Sequence, residues 1–587
     1  MGVFSVGRHG NEEINQITPY TPLKTDSSAV GTVPPRKRYR SIPGASIPFD
    51  QDTSSHSIAK MIILHDYPLN ITEHQGFLNF VRFLHPQVHT DVKSVQEECI
   101  NIYRREKQDL VNYLGQISGH VNLTLDLWGS DQGLCYLLLT GYFVDSAWKL
   151  QKRILNVVML PFPDTEFALS HAVDNCLANW GLEQKIFTLT LDESCANEAA
   201  PRYLRGLLSV MNPQVLYGQL VLGNCYARLL CSLVKNALVS MGDIIKKVRD
   251  SVKYVKAYKG NEDYFNELKQ KLQKPSSNSL AIDDQTKWNT TYHMLVAASE
   301  LKEVFSCLDT SDPNYSIFLS EEEWRRVEIL CVYLKLFFDA ANLLVAPTHQ
   351  TTNLFYHEVS NIQIQLAHAA MSQDTFTRNL TKPLQEKFNE YWNSCSLILA
   401  VAVILDPRFK MKLVEFSFSK IYGMDAETWI KVVDEGVHEL FVEYIVLSLP
   451  SPTFLVEDNG GVKKETSPED ENSAGGDDFL DFDVYISEIA GSQHMKSELD
   501  RYLEEPLLPR TQKFDVLSWW KLEAQKYPTL SRMACDILCI PVSTVAPESV
   551  FDTVPKKMDS YRSSLKPSTV EALICAKDWL QYGSSSV

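Results

Sequence analysis

The spacing of apolar and polar positions changes several times along the chain, and each change predicts a different element. From residue 55 to 115, apolar side chains recur at helical spacing. Three apolar runs with strand-like texture follow, separated by short polar breaks, at Val121–Trp128, Cys135–Val144 and Leu150–Leu160. Consecutive strands joined by short connections predict an antiparallel meander.

A second change of spacing follows the meander. Thr165–Trp180 has helical spacing, and Ile186–Asp192 is strand-like again. A meander, a crossover helix and another strand predict a mixed α/β sheet. Between about residues 200 and 450 the pattern is mainly helical, with helices expected at Leu229–Tyr258, Asn289–Cys307, Glu321–Leu344 and Leu384–Val403.

These changes divide the chain into six segments. We expect a disordered tail over residues 1–54, a helical N-terminal region over 55–118 and the first part of the sheet domain over 119–235. We then expect a helical insertion over 236–455, an acidic disordered linker over 456–500 and a helical C-terminal region over 501–582. The predicted fold class is therefore α/β plus α.

Two of the predicted strands each deliver an aspartate at or near their end. Both contain Leu-Thr-Leu-Asp, and the aspartates are Asp126 and Asp192. If the strands are neighbours, the two carboxylates can share divalent ions, as in enzymes that cleave phosphodiesters. The alternative is two unrelated strand-end aspartates that cap turns, and spacing alone favours that alternative.

Charge and cysteine content narrow the possible partners. The 587 residues carry a net charge of -17, so any nucleic-acid contact must come from local basic patches. No apolar run approaches the ~18 residues of a membrane span. The 12 cysteines form no Cys-x-x-Cys pair, and His85 and His89 have no cysteine nearby, so we expect buried thiols and no zinc.

Two local basic groups stand out in this acidic chain. One is in the tail and comprises Arg36, Lys37, Arg38 and Arg40, which we interpret as a nuclear import signal rather than a phosphate contact or an incidental cluster. The other is a predicted helical face that could touch DNA phosphates or simply be solvated; its residues are Lys246, Lys247, Arg249, Lys253, Lys256 and Lys259.

Several ordered blocks resemble the hAT family of transposases. Thr124–Ser130 and Leu189–Asp192 are similar to its first two catalytic blocks, and Ile282–Leu295 is similar to a Leu-Asp-x-x-Thr-Arg-Trp-Asn block. Three further blocks resemble the C-terminal dimerisation region of the family: Phe514–Trp520, Tyr527–Ser549 and Asp559–Leu565. The resemblance covers roughly residues 55–582 and is strongest to the domesticated daysleeper/ricesleeper group of plants.

The resemblance implies an RNase H-like sheet interrupted by the helical insertion. The family's three acidic residues map onto Asp126, Asp192 and Glu548, which in an active enzyme hold Mg²⁺ or Mn²⁺. Trp288 maps to an aromatic that supports a flipped base, with a core aromatic as the alternative. The dimerisation region supplies a dense apolar set, either a subunit interface or an internal core: Trp519, Trp520, Leu538, Leu573, Ile574 and Trp579.

The chain also departs from the family pattern. Where the family has Cys-x-x-His, this chain has Cys225 and Arg228, so a titratable ring is replaced by a permanent cation that we place among the DNA-contacting residues. Pro547 precedes Glu548, and the glycines that follow in the family are replaced up to Lys557. No cysteine precedes Cys99, so we expect the family's N-terminal BED zinc finger to be missing.

Together these features predict a domesticated, nuclear hAT protein. We expect it to contact DNA or chromatin without strong sequence preference, to form an isologous homodimer, and to lack transposition activity. One alternative is an active transposase or nuclease that depends on divalent metal ions. The other is a protein-interaction scaffold that does not bind DNA. We expect no membrane and no small-molecule substrate.

Overall fold

The structure is a computed structural model. It describes residues 51–84, 89–160, 166–192, 202–206, 222–274, 279–346, 350–447, 496–510, 513–554 and 556–583. The basic cluster of Arg36, Lys37, Arg38 and Arg40 and most of the predicted acidic linker lie outside these residues.

A mixed six-stranded sheet forms the centre of the described chain. Its strands are β1 (Val121–Ser130), β2 (Cys135–Val144), β3 (Leu150–Leu160), β4 (Ile186–Leu191), β5 (Leu222–Asn224) and β6 (Lys557–Met558). The order is β3-β2-β1-β4-β5, and β6 pairs with the end of β1. The first three strands are antiparallel, as predicted, while β4, β5 and β6 run parallel to their neighbours.

Three N-terminal helices and one crossover helix accompany the sheet. They are α1 (Gln51–His65), α2 (Gln75–Leu84), α3 (Val92–Gln116) and α4 (Glu166–Trp180). Asp91 begins α3 by accepting a hydrogen bond from the backbone N–H of Ser94, which satisfies one free donor of the first turn. Apolar residues of α3 and α4 pack on the sheet, whose strands β1, β2 and β4 are largely buried.

A large set of helices separates β5 from β6. The first is α5 (Tyr226–Ser240). The others before the linker are Gly242–Ala257, Lys259–Lys271, Trp288–Glu300, Lys302–Ser311, Glu321–Leu344, Phe355–Ala370, Thr375–Ile404, Lys410–Tyr422 and Ala426–Val446. The mixed sheet interrupted by a helical insertion is therefore confirmed.

Two predicted helices prove to be pairs. The stretch predicted as Leu229–Tyr258 breaks at Met241, and the stretch predicted as Asn289–Cys307 breaks at Leu301. The apolar spacing continues across both breaks, so the sequence pattern predicts one helix where the structure has two. None of the helices in the described ranges combines the length and apolar composition that crossing a membrane would need.

The C-terminal segment returns to the sheet. Its helices are Glu498–Glu504, Val516–Glu523, Pro528–Leu538, Ser560–Ser563 and Pro567–Gly583. The first begins at Glu498, within the range 456–500 that was predicted as linker. The last helix packs on α1, α3 and β3, and the Trp579 indole N–H donates to the Ile154 carbonyl at 2.8 Å.

Candidate functional site

Two buried carboxylates lie side by side on neighbouring parallel strands, with Asp126 inside β1 and Asp192 directly after β4. Leu125 on β1 is paired with Leu191 on β4, and the backbone N–H of Asp192 donates to the Leu125 carbonyl at 3.0 Å. This register brings Asp126 next to Asp192, as expected from the sequence if the two strands are neighbours. The residues are 5% and 3% exposed, so each charge needs a partner.

Arg228 supplies that partner. Strand β5 ends at Asn224, and α5 starts two residues later, which places Arg228 in the first turn of the helix. Its Nε donates to Asp192 Oδ2 at 2.9 Å, and its Nη2 lies 3.9 Å from Asp126 Oδ1. The Arg228 side chain is only 12% exposed. This arginine therefore pairs with Asp192 and offsets one of the two negative charges, and it does not face solvent as a DNA contact would.

Trp128 completes the surroundings of Asp126. Two residues further along β1, its indole N–H donates to Asp126 Oδ2 at 2.7 Å. Burial is the main cause that raises the pKa of Asp126 to about 7, and the neighbouring Asp192 adds to the effect. The Trp128 hydrogen bond and the Arg228 charge oppose that rise. Asp126 therefore sits close to the boundary between its charged and neutral forms near neutral pH.

Glu548 comes from the far side of the helical insertion. The segment before it is fixed to β4 and α5: Thr190 Oγ1 donates to the Pro541 carbonyl at 2.7 Å, and Cys225 Sγ accepts from the Thr544 N–H at 3.3 Å. Glu548 lies in a short 3-10 turn that begins at Pro547, where a missing N–H costs no helical hydrogen bond. Glu548 is exposed, unlike the two aspartates.

Lys556 was not singled out from the sequence, yet it belongs to this site. Its Nζ lies 4.2 Å from the centre of the Trp128 ring, a cation–π contact. Burial lowers the pKa of Lys556, while Asp126 and Glu548 both oppose that change, so the two carboxylates lie within electrostatic range of the ammonium. The only signal in the sequence was its place in the segment where the family's glycines are replaced.

Four family models match this chain. They are the ZBED1 RNase-like domain (residues 124–220), the ZBED1 RNase-like helical domain (223–333), the hAT-like transposase, RNase-H fold (353–444) and the hAT family C-terminal dimerisation region (498–580). The third covers residues that are helical here. None of the four descriptions names a BED zinc finger.

Similar proteins extend along nearly the whole chain. The protein named "Zinc finger BED domain-containing protein DAYSLEEPER" of Arabidopsis thaliana is 50% identical over 97% of this chain and 78% of its own length. RICESLEEPER 2 of Oryza sativa subsp. japonica is 45% identical over 95% and 79%. The "Putative AC transposase" of Zea mays is 32% identical over 91% and 66%. The chain belongs to the hAT family of transposase-derived proteins.

The hAT family implies divalent ions at the acidic residues, and the residues present do not fit them. The Arg228 guanidinium donates to Asp192 and lies 3.9 Å from Asp126 Oδ1, a buried oxygen that accepts no hydrogen bond, and the Trp128 N–H donates to the other Asp126 oxygen. Within the ranges that the structure describes, no three His, Cys, Asp or Glu side chains lie close enough together to hold a metal ion. The carboxylates of this hAT protein are balanced by side-chain cations instead.

The predicted base contact at Trp288 is not supported by its position. Trp288 begins its helix, is 1% exposed and packs edge-on against Phe551, with 5.1 Å between ring centres. Its backbone N–H donates to the Phe551 carbonyl at 3.1 Å. In this conformation the ring cannot reach a base, and the core-aromatic alternative is the one that the structure shows.

The predicted basic face is divided between two helices, since Lys259 begins the helix Lys259–Lys271, and its cations on Gly242–Ala257 are largely paired with acids. Arg249 donates two hydrogen bonds of 2.8 Å to Asp283, and Lys247 pairs with Glu323 at 2.6 Å. Lys256 pairs with Glu262 at 2.5 Å, and Lys253 lies 3.8 Å from Asp250. Lys246 is exposed. The pairing weakens this face as a phosphate-binding surface, because each paired cation would have to leave its carboxylate before it could bind a phosphate.

The predicted dimerisation residues lie mainly inside the chain. Leu538 and Trp520 are fully buried, and the Trp520 indole N–H donates to the Leu405 carbonyl at 2.8 Å. Trp519 is partly buried beside Trp520, and Leu573, Ile574 and Trp579 are buried against α1, α3 and the sheet. These side chains pack within the chain, as in the internal-core alternative.

Proposed function

We propose that this chain is a domesticated hAT protein that works in the nucleus as a DNA- or chromatin-associated regulator. It self-associates through its C-terminal region and lacks transposition activity. The observation that carries the proposal is the ion pair between Arg228 and Asp192 inside the ancestral acidic site. A permanent cation at that place competes with any divalent ion for the same oxygens.

The relatives support the DNA part of the proposal. DAYSLEEPER and RICESLEEPER 2 are named as BED zinc finger proteins, and a more distant relative of Talaromyces stipitatus, 24% identical over 519 residues, is named a putative transcriptional regulator. The match to the dimerisation region at residues 498–580 supports self-association. A basic cluster at Arg36, Lys37 and Arg38 supports nuclear import.

Binding and cleavage assays on the purified full chain test this function. We expect salt-dependent binding to duplexes of random sequence, a dimeric mass by light scattering, and no nicking of supercoiled plasmid in Mg²⁺ or Mn²⁺ above the level of Asp126→Asn. Absence of duplex binding even at low salt would refute the DNA part. Nicking that the Asp126→Asn variant abolishes would refute the loss of catalysis.

The second candidate is a metal-dependent transposase or nuclease. What favours it is that Asp126 and Asp192 remain adjacent on parallel strands and that Glu548 lines the same cleft as Trp128, which donates to Asp126. The variant Arg228→His restores the residue type usual in the family at this position. If nicking appears in this variant and not in the unaltered chain, Arg228 is what suppresses an otherwise competent site.

The third candidate is a protein-interaction scaffold without DNA binding. It is favoured by the net charge of -17 and by the acidic partners of Lys247, Arg249 and Lys256. A stable dimer together with a silent DNA titration at low salt would favour this scaffold over the first proposal.

A further inference from the structure

A cavity of about 540 Å³ opens where β1 begins, and its volume is within the range of ligand sites in proteins. Four separate parts of the chain form its walls: the connection from α3 to β1, the turn from β2 to β3, and the helices Ala426–Val446 and Pro528–Leu538. His120 lies directly before β1, whereas Asp126 lies in the second half of that strand. At about 3.3 Å per residue, the cavity is therefore roughly 20 Å from the carboxylate pair.

Asp536 is the buried polar group of this cavity. The residue is 2% exposed, and three donors hydrogen-bond to its carboxylate. They are the His120 backbone N–H at 2.9 Å, the His120 ring nitrogen Nδ1 at 2.6 Å and the Tyr444 hydroxyl at 2.6 Å. Burial and the charge of Asp536 hold the pKa of Tyr444 well above its ordinary value, so the hydroxyl keeps its proton and donates. A Cβ at Gly119 would lie 2.8 Å from Asp536 Oδ1, so glycine at this position lets the backbone approach the carboxylate.

The hydrogen bond to Asp536 fixes the tautomer of His120. An ionised carboxylate can only accept, so Nδ1 carries the proton and Nε2 of the neutral ring keeps a lone pair. Among the residues that the structure describes, none hydrogen-bonds to Nε2. The His120 side chain lines the cavity and is 20% exposed. The cavity therefore offers a hydrogen-bond acceptor whose orientation is fixed from behind by Asp536.

Two aromatic side chains line the same cavity, Tyr113 from α3 and Trp148 from the turn between β2 and β3. Trp148 has a left-handed backbone with a φ of 65°, a conformation that costs a bulky residue energy. The turn holds it there, since the Trp148 N–H donates to the Asp145 carbonyl at 2.9 Å. Its ring packs partly against the core and stays partly exposed, so it can also contact a ligand.

The charged groups of the cavity favour a neutral ligand. Asp145 and Arg532 supply one charge of each sign. Asp145 accepts from the Lys149 N–H at 2.8 Å, and Arg532 donates to the Tyr444 carbonyl at 3.3 Å. These two charges oppose each other, and the charge of Asp536 already has its three donors. Neither an anion nor a cation therefore finds a surplus counter-charge in this cavity.

We propose that this cavity binds a small neutral molecule that joins an aromatic ring to a hydroxyl or N–H group. The hydroxyl or N–H group donates to His120 Nε2, and the ring packs against Trp148 and Tyr113. Ligand sites in proteins combine apolar and aromatic walls with a few polar groups in fixed places, as this cavity does. The inference goes beyond the proposed function and does not depend on it, because the cavity is lined by neither Asp126 nor Asp192.

Two matched probes, 2-naphthol and 2-methoxynaphthalene, test the inference on the full chain. They share one ring system, but only 2-naphthol carries a hydrogen-bond donor. Isothermal titration calorimetry should show that the unaltered chain binds 2-naphthol about 2- to 12-fold more tightly than 2-methoxynaphthalene. This is the ratio that one hydrogen bond between neutral groups typically gives.

Two variants separate the contributions of the acceptor and of the wall. His120→Asn removes Nε2 but keeps a donor for Asp536, because the asparagine amide nitrogen takes nearly the place of Nδ1. This variant should bind the two probes equally. Trp148→Gly should bind both probes about 2- to 12-fold more weakly, because one aromatic contact is lost. Glycine suits the φ of 65°, so this variant should fold.

Trp429→Ala is the matched control, because Trp429 is 45% exposed and does not line the cavity. It should bind both probes as the unaltered chain does, and circular dichroism should confirm that all three variants fold. The inference is overturned if the unaltered chain binds neither probe or binds both equally, or if His120→Asn keeps the preference for 2-naphthol. It is also overturned if Trp429→Ala weakens binding as much as Trp148→Gly, since the probes would then bind elsewhere. Because DNA binding and nicking are measured separately, these results leave the proposed function as it stands.

Discussion

Arg228 is the residue whose removal tests the site most directly. Replacing it by Met keeps most of the side-chain volume but removes the counter-ion of two buried carboxylates. Removing one partner of a buried ion pair typically costs about 3–5 kcal/mol, because the other charge is left without compensation. We therefore expect Arg228→Met to destabilise the sheet domain.

The structure indicates which end of this range of destabilisation applies to Arg228→Met. The pKa of Asp126 is already raised to about 7, so near neutral pH this carboxyl can take up a proton at little cost when Arg228 is lost. The charge left uncompensated is then mainly that of Asp192, which is one buried carboxylate. The expected loss is therefore at the lower end, about 3 kcal/mol. At about 2 °C per kcal/mol for a large domain, Tm should fall by about 6 °C.

Thermal scans and urea titrations of the full chain measure this loss. The double variant Arg228→Met with Asp192→Asn should recover most of it, whereas Arg228→Met with Asp126→Asn should recover less. Arg326→Met is a matched control, because Arg326 forms an exposed pair with Glu322 on a helix surface and should leave Tm unchanged. The reasoning is refuted if Arg228→Met keeps the Tm of the unaltered chain, or if Asp192→Asn brings no recovery.

The remaining predictions concern a buried carboxyl, the C-terminal core and the tail. Burial raises the pKa of Glu571, so the folded chain holds a proton that the unfolded chain releases above the ordinary carboxyl pKa, and stability falls as pH rises. The Tm advantage of Glu571→Gln over the unaltered chain should therefore grow as pH rises above that ordinary pKa, and a constant difference would contradict this. Trp520→Ala should lower the free energy of unfolding, measured by urea titration, by about 3–5 kcal/mol. Leu522 is exposed, so a similar loss in Leu522→Ala would show that burial of Trp520 is not the cause. Alanine at Arg36, Lys37 and Arg38 in a fluorescent fusion of the full chain should move it from nucleus to cytoplasm, and unchanged nuclear signal would exclude this cluster as the import signal.

The sheet could be predicted from the sequence because its strands are locally encoded. β2 and β3 occupy the predicted ranges Cys135–Val144 and Leu150–Leu160, since each is a long apolar run bounded by polar turn residues. The break at Met241 could not be predicted, because the apolar spacing continues across it from one helix to the next. The short strands β5 and β6 carry too few residues for any period to be visible.

The site was predicted only in part, and for a different physical reason. Asp126 and Asp192 could be identified because each follows Leu-Thr-Leu in a strand-like run, and Arg228 because it departs from a family motif. Their ion pair and the position of Lys556 depend on packing between distant segments. The apolar set around Trp520 was recognised as one cluster, but the sequence alone could not distinguish an internal core from a subunit interface.

The pairing of β6 with β1 has a consequence for the synthesis of the chain. Gly129 pairs with Lys557, which lies 428 positions later in the chain. At roughly 5–20 residues per second, a ribosome needs about 20–90 s to cover that interval. During this time β1 has emerged, but the last helix has not yet covered the sheet, and Trp579 and Ile574 are missing from its core. The nascent chain therefore depends on protection from aggregation until its final residues are made, and truncation near the end leaves the sheet unfinished.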